Sequence, residues 1–246
     1  MLQCYQSSKI YENVAVSAIN VKGNKEKMKL HRLTREEKSE TVEVLTSAFH
    51  DYPVMRFVLK TNGAEYVTQL KTLMEFYCEA RLAKDRPVLG IRNEDALVAV
   101  ALIDETSLKP WQEMQTELIR LKEIIGEDAY SRLELYEMMS SRAEPATPHH
   151  FLGMIAVRRE HQGKGYSRLL LEAVKQMSAE DPQSSGVCLS TEDPENVRLY
   201  EHFGYRIIAE IDIQELHSWC MFLSTEPKTP PVLPSILFAL LSLCWF

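Results

Sequence analysis

Two short stretches carry residue types that can do chemistry. The first is Gln162-Gly163-Lys164-Gly165-Tyr166-Ser167. Glycines at such spacing let a chain turn tightly and bring its main chain against a ligand with no side chain between. A helix opening here has first-turn N–H groups without intrahelical acceptors, at the positive end of its aligned peptide dipoles. That is an anion site suited to a diphosphate. Lys164, Arg158 and Arg159 can add charge in a chain that is otherwise acidic. Other phosphate loops fit less well. The dinucleotide fingerprint needs a third glycine. The nucleoside-triphosphate loop needs Ser or Thr directly after Gly-Lys, where Gly165 stands. The second stretch is Asn196-Val-Arg-Leu-Tyr200. Four residues is about one helical turn, so Asn196 and Tyr200 share a face. A tyrosine can give up a proton; an asparagine can hold a ligand or cap its own helix.

These residues need elements to hold them. Phe151 to Val157 is a near-continuous apolar run and predicts a strand buried on both faces. Leu169, Leu170, Ala173, Val174 and Met177 fall on one side of a helix after the loop. Gly186 to Thr191 predicts a strand, Asn196 to His202 a short helix ended by Gly204, and Tyr205 to Ile213 and Ser218 to Ser224 two last strands. Upstream, Lys29 to Leu33 alternates as a first strand. Thr34 and Glu37 form a capping-box pattern opening a helix with Val42, Leu45, Ala48 and Phe49 on one face. Asp51-Tyr-Pro53 ends it, and Leu70, Leu73, Met74 and Tyr77 mark a second helical stretch. Pro87 to Arg92 and Ala96 to Ile103 predict a hairpin turning at Asn93-Glu94-Asp95. Leu108 to Ser141 is a long helical pattern with Leu118, Leu121, Ile124 and Ile125 as its stripe. The order predicts an α/β fold with mixed strand directions. One domain would span residues 28–224, with a helical insertion at about 106–148, a flexible extension at 1–27, and a Pro-rich linker and apolar tail at 225–246.

The segment Phe151 to Leu171, through Gln162, Gly165 and Ser167, resembles the cofactor motif of the GNAT acetyltransferase superfamily. Asn196 to Tyr205 resembles that family's later helix. Ser167 departs from the pattern, which has Gly or Ala there. The resemblance implies the GNAT fold, a mixed, mostly antiparallel sheet with splayed central strands flanked by helices. It implies acetyl-coenzyme A as acyl donor, lying between the strand ending at Val157 and the strand Gly186 to Thr191. Backbone groups of Ile155, Ala156 and Val157 would pair with the pantetheine arm, Asn196 would contact that arm, and the amides of Gly163, Lys164, Gly165, Tyr166 and Ser167, with Gln162, would hold the diphosphate. An amine would attack the thioester directly. Tyr200 would protonate the leaving thiolate, and a strand N–H would stabilise the oxyanion.

The general base is less defined. His150 is the leading expectation, with His149 and Glu94 as other candidates. Asp51 to Met55 and the insertion's Tyr130, Tyr136, Met138 and Met139 would shape the acceptor pocket. The acceptor is expected to be a small-molecule amine; a protein N-terminus or lysine, or a non-catalytic coenzyme A-binding module, are the alternatives.

Composition limits the remaining classes. The 246 residues are 45% apolar with a formal net charge of −7, which argues against nucleic acid as main partner. The five cysteines have no zinc-knuckle spacing, so no metal and no disulfide framework is expected, and a reducing, cytoplasmic setting fits. The apolar tail is short for a bilayer span and interrupted by Pro234, so docking on protein is favoured over membrane contact. A monomer or homodimer is expected.

Overall fold

A computed structural model describes residues 28–105 and 114–225. The expected extension, the first part of the insertion including Leu108, and the tail from residue 226 lie outside the described residues. Seven strands form one sheet: β1 (Met28–Arg32), β2 (Val88–Asn93), β3 (Ala96–Asp104), β4 (His150–Val157), β5 (Gly186–Thr191), β6 (Arg206–Ile213) and β7 (Leu216–Ser224). Their order is β1-β2-β3-β4-β5-β7-β6. Every pairing is antiparallel except β4 with β5.

Helices cover both faces. On one lie α1 (Lys38–Ala48), α2 (Pro53–Leu59), α3 (Gly63–Leu82), α4 (Gln115–Ile125) and α5 (Glu127–Ala143). On the other lie α6 (Tyr166–Glu180) and α7 (Pro194–His202). Central strand β3 feeds both layers: Val100 and Leu102 pack under the first group, Ala101 and Ile103 under the second. The expected stripe of α6 is there, with Leu169, Leu170, Val174 and Met177 buried. Each such side chain contributes about 1.5–3 kcal/mol, which fixes the helix and with it the glycine loop before it. The Thr34 N–H donates to Glu37 Oε2 at 3.1 Å, and a single 3-10 turn precedes α1.

Three expectations need correction. The long helical pattern is two helices, because Gly126 takes φ +85° and breaks it; Ile124 is exposed, while Leu121 and Ile125 are buried. Strand β4 is not buried throughout: Phe151, Gly153 and Ile155 are half-buried, because they border a cleft. The helix carrying Tyr200 starts at Pro194, and Asp193 caps it by accepting from the Glu195 N–H at 2.9 Å. Asn196 is therefore not the cap.

Candidate active site

The cleft originates in strand pairing. β4 and β5 meet only at His150↔Val187 and Phe151↔Cys188. Beyond Phe151 the strands part, and β4 remains paired only with β3. The β3–β4 register shifts by one residue at Gly153, a bulge that puts Leu152 in one core and Met154 in the other. A Cβ on Gly153 would stand 2.6 Å from Arg81 Nη2, so the absence of a side chain lets Arg81 approach the strand.

The Arg158 N–H donates to Val98 O on β3 at 2.9 Å. Polar main-chain groups alternate in direction along a strand, so Ala156 also faces β3, while Ile155 and Val157 face the side that β5 has left. The Gln162 side chain donates to Val157 O at 3.4 Å from that open side. Of the three β4 residues expected to meet the pantetheine arm, Ile155 and Val157 have main-chain groups available, and Ala156 does not.

Past Val157, the loop turns through Gly163 (φ +74°) and Gly165 (φ +86°), with nothing within 4 Å of where either Cβ would be. Such φ values are steric trouble for any L side chain and cost glycine nothing. Lys164 is exposed beside them, and Ser167 is half-buried in the first turn of α6. The Tyr166 side chain packs into the core, leaving only its main chain at the loop. Arg158 and Arg159 are less available than the sequence suggested. Arg158 Nε bonds Leu97 O at 2.9 Å, and Arg159 Nη2 bonds Asp51 Oδ2 at 2.8 Å.

A cavity of about 570 Å³ fills the gap between the strands. Tyr200 and Asn196 reach it from α7, on one face of the sheet, while Tyr52, Tyr77, Tyr136 and Glu137 reach it from the opposite helix layer. The cavity thus passes through the split in the sheet. Tyr200 is 7% exposed, and burial, then the charge of Glu192, pushes its hydroxyl above the ordinary tyrosine range, so it stays protonated. Tyr52, Val54 and Met55 line the cavity as expected; Asp51 is exposed and bonds Arg56 Nη2 at 2.7 Å instead.

Of the three expected bases, His150 and Glu94 lie away from the cavity. His150 is fully buried in the paired part of the sheet, its Nε2 3.0 Å from Asp181 Oδ2, and it does not line the cavity. Glu94 is exposed in the hairpin turn, at the far end of β3 from Asp104. His149 does line the cavity, its Nδ1 2.7 Å from Thr147 O, with Glu144 3.6 Å from Nε2. Cys188 is buried with Sγ 3.5 Å from Cys220 Sγ; the Cys220 contact and burial hold its thiol protonated.

Two carboxyls that the sequence reading missed stand on the cavity wall. Glu192, the residue after β5, is 6% exposed, and its Oε1 accepts from Tyr136 at 2.9 Å and from Ser218 at 2.7 Å. Burial raises its pKa, and those hydrogen bonds pull it part of the way back. Glu137 on α5 accepts from the Tyr77 hydroxyl at 3.0 Å; burial pushes it up to about 7. The one sequence signal for Glu192 is its place at the open end of a strand that turns into a helix. Glu137 has none beyond its position on an expected pocket-covering helix. Nearby, Arg81 is bonded to Asp104 and donates to Tyr77 O at 3.0 Å, and Arg86 Nη1 bonds Asp104 at 3.2 Å. Among the described residues no group of three or more His, Cys, Asp or Glu is placed to hold a metal, and no helix is long and apolar enough to cross a membrane.

A family model described as acetyltransferase (GNAT) domain matches residues 122–207, from the end of α4 into β6. Solved structures share the fold. Histone acetyltransferase HPA2 and related acetyltransferase from Corynebacterium glutamicum aligns with a TM-score of 0.62 at 21% identity, over 82% of this chain and 98% of that one. Arylalkylamine N-acetyltransferase 2 from Aedes aegypti aligns at 0.56 and 14% identity, over 81% and 99%. The polyamine N-acetyltransferase of Drosophila melanogaster, which forms N-acetylagmatine, aligns at 0.54 and 12%, over 80% and 99%. The match to the GNAT acetyltransferase domain thus covers residues 122–207, and the likeness to the solved acetyltransferases, all under 25% identical, is one of fold.

Proposed function

We propose that the chain transfers an acetyl group from acetyl-coenzyme A to a primary amine of a small molecule. The observation that carries this reading is the passage through the sheet, with the open edge of β4 on one side and Tyr200 and Glu192 on its walls. The main chain of Gly163 to Ser167 receives the diphosphate with Lys164 beside it, and Gln162 braces the loop against the strand end. The main chain of Ile155 and Val157 pairs with the pantetheine arm. The Ile155 N–H donates to the thioester oxygen and to the oxyanion that follows. Asn196, freed from capping, contacts the arm from α7.

Glu192 takes the proton that makes the acceptor nitrogen nucleophilic. Tyr136 and Ser218 hold its Oε1 in place, and burial raises its pKa, which makes it a stronger base than an exposed carboxylate. The nitrogen attacks the thioester carbon, the carbon–sulfur bond breaks, and Tyr200 gives its proton to the departing thiolate. No enzyme nucleophile is needed; holding donor and acceptor in line supplies much of the acceleration. Residues of α5 close over the acceptor side, which favours a small molecule over a peptide chain. Two of the similar folds belong to small-amine acetyltransferases, which agrees with this choice. The free buried thiols Cys78, Cys188 and Cys220 suit a reducing compartment such as the cytoplasm.

Thermal unfolding with coenzyme A, followed by thiol release from acetyl-coenzyme A with an amine panel, tests the reading. Coenzyme A at 100 times its Kd should stabilise the fold by about 2.7 kcal/mol. No shift at millimolar concentration removes the proposal.

A further inference from the structure

The transfer steps leave part of the cavity without a role. Helix α5 and the residue just beyond it present Glu137, Ser140, Ser141 and Glu144 to it, at spacings that fall on one stripe. Ser140 is 6% exposed, and its hydroxyl has no hydrogen-bond partner. Hydroxyls inside helices usually return to the carbonyl one turn back. Thr41, Thr68 and Thr72 do so at 2.9 to 3.0 Å, but Ser140 does not. Glu105, at the end of β3, borders the same cavity, and its Oε1 is also buried without a partner among the described residues.

Charge points the same way. Asp104 is matched by Arg81 and Arg86, and Glu144 lies beside His149. Glu105, Glu137 and Glu192 line the cavity and form no salt bridge among the described residues. These acceptor oxygens call for a ligand with several N–H donors and positive charge. Arg81, in the same lining, has its charge matched by Asp104 and donates to Tyr77 O, while its Nε has no partner among the described residues. Ser140 is one turn beyond Tyr136, whose hydroxyl holds Glu192, which is about 6 Å along the helix axis.

We propose that the acceptor carries a second cationic nitrogen, seated by Glu137, Ser140 and Glu105 about one helical turn from the nitrogen that Glu192 deprotonates. The substrate class is then a short diamine, not a monoamine or an amino acid. The inference rests on the cavity being the acceptor site of an acetyl transfer. An ammonium supplies three donors. Glu137 keeps acceptor capacity beyond its Tyr77 bond, and Ser140 and Glu105 each offer an unpartnered oxygen.

The test compares 1,4-diaminobutane, 1-aminobutane and 4-aminobutanoate as acceptors in a thiol-release assay with acetyl-coenzyme A. The diamine should show kcat/KM at least tenfold above the monoamine, with the aminobutanoate below both. Glu137→Gln should lower kcat/KM for the diamine about tenfold, mainly through KM, and act less on the monoamine; Ser140→Ala should act in the same direction by a smaller factor. Without donor, 1,4-diaminobutane should raise the Tm of the wild type and raise that of Glu137→Gln less. Equal use of monoamine and diamine, preference for the aminobutanoate, or no diamine-induced Tm shift would overturn the second-cation seat while transfer to amines stands. No thiol release with any amine, together with no coenzyme A shift, would remove the transfer reading and the seat with it.

Discussion

The Tyr136 hydroxyl donates to Glu192 Oε1 at 2.9 Å, which ties the middle of α5 to the residue just past β5. The acceptor-side wall and the base are thus held as one unit, and Ser218 fixes the same oxygen from β7.

Glu192→Gln should lower kcat about a hundredfold, the scale of a lost general base. The group's pKa is raised, and the ionised form is the base, so wild-type kcat/KM rises as pH passes upward through that pKa. The rising limb should vanish in Glu192→Gln. The Tyr136 hydrogen bond lowers the Glu192 pKa, so Tyr136→Phe should move the limb to higher pH. A pH–rate profile of the three proteins checks this.

Tyr200→Phe should lower kcat by tenfold or more and leave the coenzyme A thermal shift nearly unchanged, because the hydroxyl acts on the leaving group. Equal kcat would show that another group protonates the thiolate.

Gly165→Ala should cost about 1–2 kcal/mol, since φ +86° is a left-handed conformation and the surrounding space is open. Gly165→Glu should add a carboxylate where a diphosphate must rest. Its coenzyme A shift should disappear while the chain still melts cooperatively. Calorimetric unfolding with and without coenzyme A separates the two effects.

Glu137 makes a prediction about stability. Its carboxyl has a folded value of about 7 against an ordinary 4.5, raised by burial; Tyr77 and Arg81 lower it, and Asp104 and Glu144 raise it. Below pH 4.5 it is protonated in both states and carries no penalty. As pH rises from 4.5 to 7 the unfolded chain gives up the proton first, so the folded state loses up to about 3 kcal/mol. Between pH 5 and pH 8, urea unfolding of Glu137→Gln should therefore lose less stability than the wild type.

Gly153→Ala should destabilise by about 2 kcal/mol or more. Its Cβ would stand 2.6 Å from Arg81 Nη2 and force a nearly buried guanidinium off Asp104. Urea unfolding reads the loss directly.

Much of the frame was legible because it rests on local pattern. The apolar stripe of α6, the hairpin turning at Glu94 and the glycine loop each depend on residues close in sequence. The site's base was not legible. Glu192 acts through partners 56 and 26 residues away, Tyr136 and Ser218, and no spacing rule links them. His150 was misplaced because the sequence does not tell where two parallel strands stop pairing; it lies in the closed part, against Val187, one rung before the strands separate. Strand β4 read as buried on both faces because Phe151 and Ile155, which border the cleft, are as apolar as their core neighbours. The helical pattern past residue 114 looked continuous because its apolar positions recur on both sides of Gly126, and only the φ of that residue separates them.

The helices between β3 and β4 have a consequence for how selectivity can change. Their stretch supplies Tyr136, Glu137 and Ser140, whereas everything expected to grip the donor is encoded between Ile155 and Tyr200. The donor grip and the proposed second-cation seat occupy separate tracts of the chain, although the base Glu192 lies within the donor tract. Rewriting one tract can therefore retune which amine is accepted without disturbing how the thioester is presented, provided that residue 136 still reaches Glu192.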